Sequence, residues 1–219
     1  MPADPSLMPE TVATPARLAA ALGHYLPPRG TKIGLLGGSF NPAHEGHLQL
    51  SLEALKRLGL DQIWWLVSPQ NPLKSPEGMA PQAERLAGAR ALVRHPRIRP
   101  SSLESLLGTR YTADSLAALG RRFRGIRFVW LMGADNLLQL SSWQRWPQIL
   151  NGMPVAVFDR APYSVRANAA KAARRFAQAR VSERHARRLA AMAPPAWTFL
   201  RQPLNAQSAS RIRAHRATP

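Results

Sequence analysis

Gly37-Gly38-Ser39-Phe40-Asn41-Pro42-Ala43-His44-Glu45-Gly46-His47 stands between an apolar run, residues 32–36, and a segment, residues 46–58, where Leu48, Leu52, Leu55 and Leu58 recur at helical spacing. The order is strand, glycine turn, helix, with Gly59 ending the helix. Such a turn is an anion site: glycine lets backbone N–H groups approach a phosphate, and a helix N-terminus adds positive potential. His44 and His47 sit at the helix mouth, where imidazole N–H groups can bond phosphate oxygens and stabilise developing charge. Gly-Gly after a strand is not specific by itself, and neither the dinucleotide fingerprint Gly-x-Gly-x-x-Gly nor a Walker loop occurs. Two other roles for the pair stay open: a His-x-x-His metal site, which lacks a ligand set beyond Glu45, and a purely structural one.

Working outward, the pattern alternates apolar strand and amphipathic helix. Gln62–Val67 (QIWWLV) predicts a buried strand, followed by a Pro-rich loop over residues 69–81. Residues 82–94 predict a helix, with a short strand near Ile98. Residues 112–123 predict a helix capped by Thr112. Strands are predicted over 126–132, 154–158 and 197–200, with an interrupted Ala/Arg-rich helical stretch over 164–193 and a last short helix over 208–215. Strands joined by helices of these lengths predict a doubly wound parallel α/β sheet. Residues 1–30 read as an N-terminal extension, in which Thr14 caps a short helix running to residue 26; residues 31–219 read as the single domain.

The composition narrows the function classes. Thirty Lys+Arg oppose twelve Asp+Glu, a net charge of +18, and twenty-six of the thirty are Arg. That field attracts phosphate-bearing ligands. The absence of cysteine excludes disulfides, zinc–thiolate sites, Fe–S clusters and a cysteine nucleophile, and it fits a cytoplasmic location. No run reaches the roughly 18 apolar residues that a membrane span needs, and the N-terminus lacks the basic start of a secretory signal.

The eleven-residue segment resembles the nucleotidyltransferase superfamily, marked by (His/Thr)-x-Gly-His after the first strand. Within it, the segment is similar to nicotinate-nucleotide adenylyltransferases at every position of Gly-Gly-(Ser/Thr)-Phe-(Asp/Asn)-Pro-x-His-x-Gly-His. Further segments resemble that family in order. Trp65-Leu66-Val67-Ser68-Pro69-Gln70-Asn71-Pro72-Leu73-Lys74 is similar to its loop after the second strand, with Pro72-Leu73-Lys74 departing from the usual Pro-Pro-His-Lys. Arg110-Tyr111-Thr112-Ala113-Asp114-Ser115-Leu116, Gly133-Ala134-Asp135-Asn136-Leu137, Trp143, Arg160 and Ser208-Ala209-Ser210-Arg211-Ile212-Arg213 follow.

The resemblance implies a Rossmann-like nucleotidyltransferase fold and adenylyl transfer from ATP to nicotinate mononucleotide, giving nicotinate adenine dinucleotide and pyrophosphate in NAD biosynthesis. It implies catalytic roles for His44, His47 and Arg213. For ATP it implies Gly37, Gly38, Ser39, Phe40, Gly46, Gly133, Asp135, Ser208 and Ser210. For the mononucleotide it implies Asn41, Lys74 on phosphate, Tyr111 and Thr112 on the carboxylate, and Trp143 stacked on the pyridine ring. Mg²⁺ would arrive with ATP, since few carboxylates are available to hold it. The rivals are transfer to nicotinamide mononucleotide or phosphopantetheine on the same fold and, in a different class, a basic nucleic-acid-binding module over residues 160–190. That stretch holds nine Lys/Arg against one Glu but no RNA-binding aromatic motif or helix-turn-helix pattern.

Overall fold

In the computed structural model of the chain, which describes residues 14–69, 78–159 and 163–201, β2 (Gln62–Val67) is buried at all six positions. A strand whose residues all hide must lie in a sheet covered on both faces. Its neighbours are β1 (Lys32–Gly38) and β3 (Ile98–Ser101). Beyond β1 lie β4 (Arg127–Gly133), β5 (Val155–Phe158), β7 (Trp197–Leu200) and the two-residue β6 (Arg180–Val181). Among the described residues the order is β3-β2-β1-β4-β5-β7-β6, and every pairing is parallel. The expected doubly wound sheet is therefore the observed fold. Strand order reverses between β1 and β4, and sheets of this kind bind ligands beyond the carboxyl ends of the strands at such a crevice.

The helices between strands are α2 (Glu45–Arg57), α3 (Gln82–Leu92), α4 (Leu103–Leu107), α5 (Thr112–Arg122), α6 (Ala134–Gln139), α7 (Trp146–Gly152), α8 (Ser164–Asn168) and α9 (Lys171–Arg175). Leu35, Trp64 and Trp130 point to one face, where Leu116 and Leu119 of α5 and Ile149 of α7 cover them. Leu36, Trp65 and Leu131 point to the other, against Ala54 and Leu55 of α2 and Leu189 of a 3-10 segment, Glu183–Ala191. Alternation along each strand thus feeds two cores. Gly34 is a packing glycine: a Cβ there would meet Ile63, Leu131 and Leu60 at 2.7–2.9 Å.

The boundaries depart from expectation in four places. The first helix, α1 (Pro15–Ala21), stops short of residue 26, because Gly23 and His24 both take positive φ. Helix α4 was not foreseen. Thr112 is the first helical residue of α5, and extended Tyr111 takes the cap position without a side-chain cap bond. The 164–193 stretch is interrupted, as expected, but the break includes β6. The 208–215 helix lies outside the described residues.

The segment before β1 is stitched to the domain. Leu18 and Leu22 are 4% and 2% exposed. The Leu22 carbonyl accepts from Arg99 Nη1 at 3.1 Å, and Gly30 N–H donates to the Gly125 carbonyl at 2.7 Å. Several of the many arginines are structural. Arg175 lies over Trp146 at 5.4 Å, Arg180 lies over Trp197 at 5.0 Å, and Arg57 pairs with Glu183.

Candidate active site

His44 caps α2. Its Nδ1 accepts from the Gly46 N–H at 3.1 Å, and its own N–H donates to His47 Nδ1 at 3.2 Å. Two of the donors that a helix start leaves unmatched are thereby satisfied by imidazoles, in the manner of a reciprocal capping box. Both bonds have a tautomeric consequence: an Nδ1 that accepts from an amide carries no proton, so each neutral ring holds its proton on Nε2. The ring centroids lie 3.9 Å apart, so the two Nε2–H groups belong to one cluster at the helix mouth.

An aromatic bed supports this pair. Phe40 has φ +48°, in the left-handed region that favours glycine, and it is 1% exposed. Its ring stacks on Trp65 at 4.9 Å and 14°, and tilts against His47 at 4.7 Å. Packing on both sides holds a backbone conformation that a free phenylalanine would leave. Trp65 Nε1–H donates to Ser51 Oγ at 2.8 Å, and that hydroxyl donates to the His47 carbonyl at 2.8 Å.

The paired glycines do more packing than was foreseen. A Cβ on Gly37 would fall 2.3 Å from Trp130 Cη2, so an indole beneath the turn demands glycine whatever the turn binds. Neither Gly37 nor Gly38 has positive φ. The Gly38 carbonyl accepts from Ser68 N–H at 3.0 Å, joining the ends of β1 and β2. Gly46 spends its N–H on His44.

Asn41 bridges to the second loop: its Nδ2 donates to the Gly78 carbonyl at 2.8 Å, and its Oδ1 accepts from Ala80 N–H at 3.4 Å. Ser39 offers its carbonyl to buried Arg85. Sequence reasoning missed Arg85, because an arginine on an amphipathic helix reads as a solvated face.

Across the crevice, β4 ends at Gly133, which precedes the first turn of α6 with Asp135. Tyr111 and Thr112 open α5, whose first N–H groups have no intrahelical acceptor. An ion pair between Asp114 and Arg145 ties that start to the loop holding half-buried Trp143, two residues before Arg145. That ion pair links the α5 start, with Tyr111 and Thr112, to the Trp143 loop, two segments that flank the central strand β4 in the chain. Beneath them Glu104, on α4, is buried, and burial pushes its carboxyl up to about 7 while a hydrogen bond with Ser115 pulls it back. Lys74, Arg160, Ser208, Ser210 and Arg213 lie outside the described residues. Among the described residues no three His, Cys, Asp or Glu cluster as metal ligands, and no helix is long and apolar enough to cross a membrane.

Comparison with known proteins shows the family and the fold. Residues 35–215 match the cytidylyltransferase-like family. A Cereibacter sphaeroides protein named "Probable nicotinate-nucleotide adenylyltransferase" is 54% identical over 182 residues, which is 83% of this chain and 96% of the relative. A Bradyrhizobium protein of the same name is 56% identical over 169 residues, 77% of this chain and 88% of its own. The fold is similar to that of Plasmodium falciparum nicotinic acid mononucleotide adenylyltransferase complexed with NaAD, with TM-score 0.64, 16% identity and coverage of 84% and 83%. More than half identical to these relatives over aligned stretches that cover 88–96% of the relatives' own length, and matching the cytidylyltransferase-like model over residues 35–215, the chain belongs to the nicotinate-nucleotide adenylyltransferase family.

Proposed function

We propose that this chain transfers the adenylyl group of ATP to nicotinate mononucleotide. A phosphate oxygen of the mononucleotide attacks the α-phosphorus, an O–P bond forms, the bond from the α-phosphorus to the bridging oxygen breaks, and pyrophosphate leaves. The observation that carries this is the His44–His47 pair, whose Nδ1 atoms are occupied by backbone N–H groups. A phosphate monoester is already a nucleophile near neutral pH, so the site needs alignment and charge stabilisation more than a base. Two Nε2–H donors at a helix mouth supply both.

The remaining roles follow the family resemblance. Gly37, Gly38, Ser39, Phe40 and Gly46 frame the triphosphate; Gly133 and Asp135 face the adenosine. Ser208, Ser210 and Arg213 serve the leaving pyrophosphate, and Lys74 with Asn41 the mononucleotide phosphate. The N–H groups at Tyr111 and Thr112 would hold the nicotinate carboxylate, with Trp143 on the pyridine ring. The lack of a three-ligand His, Cys, Asp or Glu cluster among the described residues suits a Mg²⁺ ion that keeps its waters and arrives on ATP phosphates, where it neutralises charge. Zero cysteine supports a cytoplasmic setting.

Pyrophosphate release with nicotinate mononucleotide, nicotinamide mononucleotide and phosphopantetheine tests this. The amide forfeits a charge-assisted bond at the α5 start, about 1–3 kcal/mol in kcat/KM. Equal kcat/KM for nicotinate and nicotinamide forms would overturn the carboxylate assignment, and preference for phosphopantetheine would overturn the acceptor.

A further inference from the structure

Arg85 of α3 is 4% exposed, and its guanidinium donates to backbone carbonyls from separate segments: Nε to Ala80 at 2.8 Å, Nη1 to Ser39, and Nη2 to Pro69 at 2.8 Å. Ser39 lies just beyond β1 and Pro69 just beyond β2. One rigid planar group therefore spans the gap between the two loops that leave the carboxyl ends of adjacent strands. Burial also lowers the guanidinium pKa from its ordinary value, so the charge is kept at a cost that the carbonyls offset. A buried arginine with this donor set is an unusual way to fill a helix–sheet contact that leucine would fill more cheaply.

What it braces bears on chemistry. Ser39 adjoins Phe40, whose ring packs on Trp65 and against His47. Neighbouring bonds reinforce the same span: Gln82 Nε2 donates to the Val67 carbonyl at 2.7 Å, and Asn41 grips Gly78 and Ala80. A shift at Ser39 passes through Phe40 to the imidazole.

We propose that Arg85 is a positioning residue for adenylyl transfer: its guanidinium fixes the spacing of the Ser39 and Pro69 loops, and so the placement of His47, without touching substrate. This rests on the adenylyl-transfer function above. Lysine cannot reproduce the fork, because an ammonium lacks the planar spread of donors needed to reach all three carbonyls.

The test compares wild type with R85K, R85M and R85A by thermal melting, hydrogen exchange and steady-state kinetics below the lowest melting temperature. Misplacement of about 1 Å costs up to about a hundredfold, so kcat should fall about thirtyfold or more in R85M. KM for both substrates should stay within about threefold. R85K should lose about tenfold or more of the protection at residues 38–42, with β5 and β7 unchanged; this is read without turnover. Ethylguanidinium should restore about fivefold or more of R85A activity where equimolar ethylammonium does not. A packing role alone would lower Tm without guanidinium-specific rescue. Folded R85M with kcat within about threefold of wild type, or unchanged exchange at 38–42 in R85K, overturns the proposal alone. A wild-type chain that releases no pyrophosphate overturns the adenylyl-transfer function and this proposal with it.

Discussion

His44 and His47 hold one another: the backbone N–H of His44 donates to His47 Nδ1 at 3.2 Å, and their rings lie 3.9 Å apart. The cap and the proposed catalytic pair are the same two side chains, so stability and chemistry can be separated by choosing substitutions. His47→Ala removes a donor whose contact strengthens as charge moves onto phosphate oxygens. Its kcat should drop by about 10²–10³ with KM little changed. His44→Asn keeps an oxygen able to accept from Gly46, because asparagine is among the best caps. It should melt near the wild-type temperature yet lose kcat, whereas His44→Ala should also lose about 1 kcal/mol of stability. Circular dichroism melts beside steady-state kinetics read both effects.

The ion pair between Asp114 and Arg145 joins the α5 start to the Trp143 loop. Both side chains are substantially exposed, so the pair contributes at most about 1 kcal/mol to folding. Its effect should appear in substrate affinity. Arg145→Ala should raise KM for nicotinate mononucleotide about threefold to tenfold at unchanged kcat and unchanged KM for ATP. A rise in the ATP KM instead would place this ion pair on the adenosine side.

Glu104 makes stability depend on pH. Its folded pKa is raised from 4.5 to about 7, so below 4.5 both states are protonated and burial carries no ionisation penalty. Between 4.5 and about 7 the unfolded chain releases a proton that the folded chain keeps, and stability falls as pH rises. Above about 7 the loss levels off, at up to about 3 kcal/mol for a shift of this size. Glu104→Gln mimics the protonated acid. It should match wild-type Tm at pH 4.5 and exceed it at pH 8; equal Tm values at pH 8 would refute the buried-acid assignment.

Leu18 and Leu22 pack into the core from the segment before β1. A chain starting at Gly30 should therefore melt several degrees lower, since each buried leucine contributes about 1.5–3 kcal/mol. No group placed in the reaction precedes residue 31, so the folded truncation should keep kcat within about tenfold.

Long, periodic elements were legible from the chain. Gln62–Val67 is legible to the residue, because the buried strand leaves five consecutive apolar side chains, Ile63 to Val67, after Gln62. The histidine pair was legible because strand, turn and helix met at one motif. What escaped reading depends on tertiary partners. Helix α4 has five residues, too few to show a period. Thr112 has a hydroxyl that suits a cap, yet Tyr111 carries the extended backbone of the cap position. The first helix ends at Ala21, ahead of Gly23 and of His24, whose positive φ no propensity announces. Gly37 was assigned to phosphate approach, whereas its tightest constraint is Trp130, more than ninety positions away. Arg85 and Glu104 belong to no motif, and only the fold shows that they are buried.

The most direct measurement follows ATP labelled at the α-phosphorus in the presence of nicotinate mononucleotide. The label should appear in nicotinate adenine dinucleotide, with one unlabelled pyrophosphate for each dinucleotide, and His47→Ala should slow both together. Label released as AMP or ADP regardless of the mononucleotide, or no turnover at all, would contradict adenylyl transfer at the His44–His47 pair.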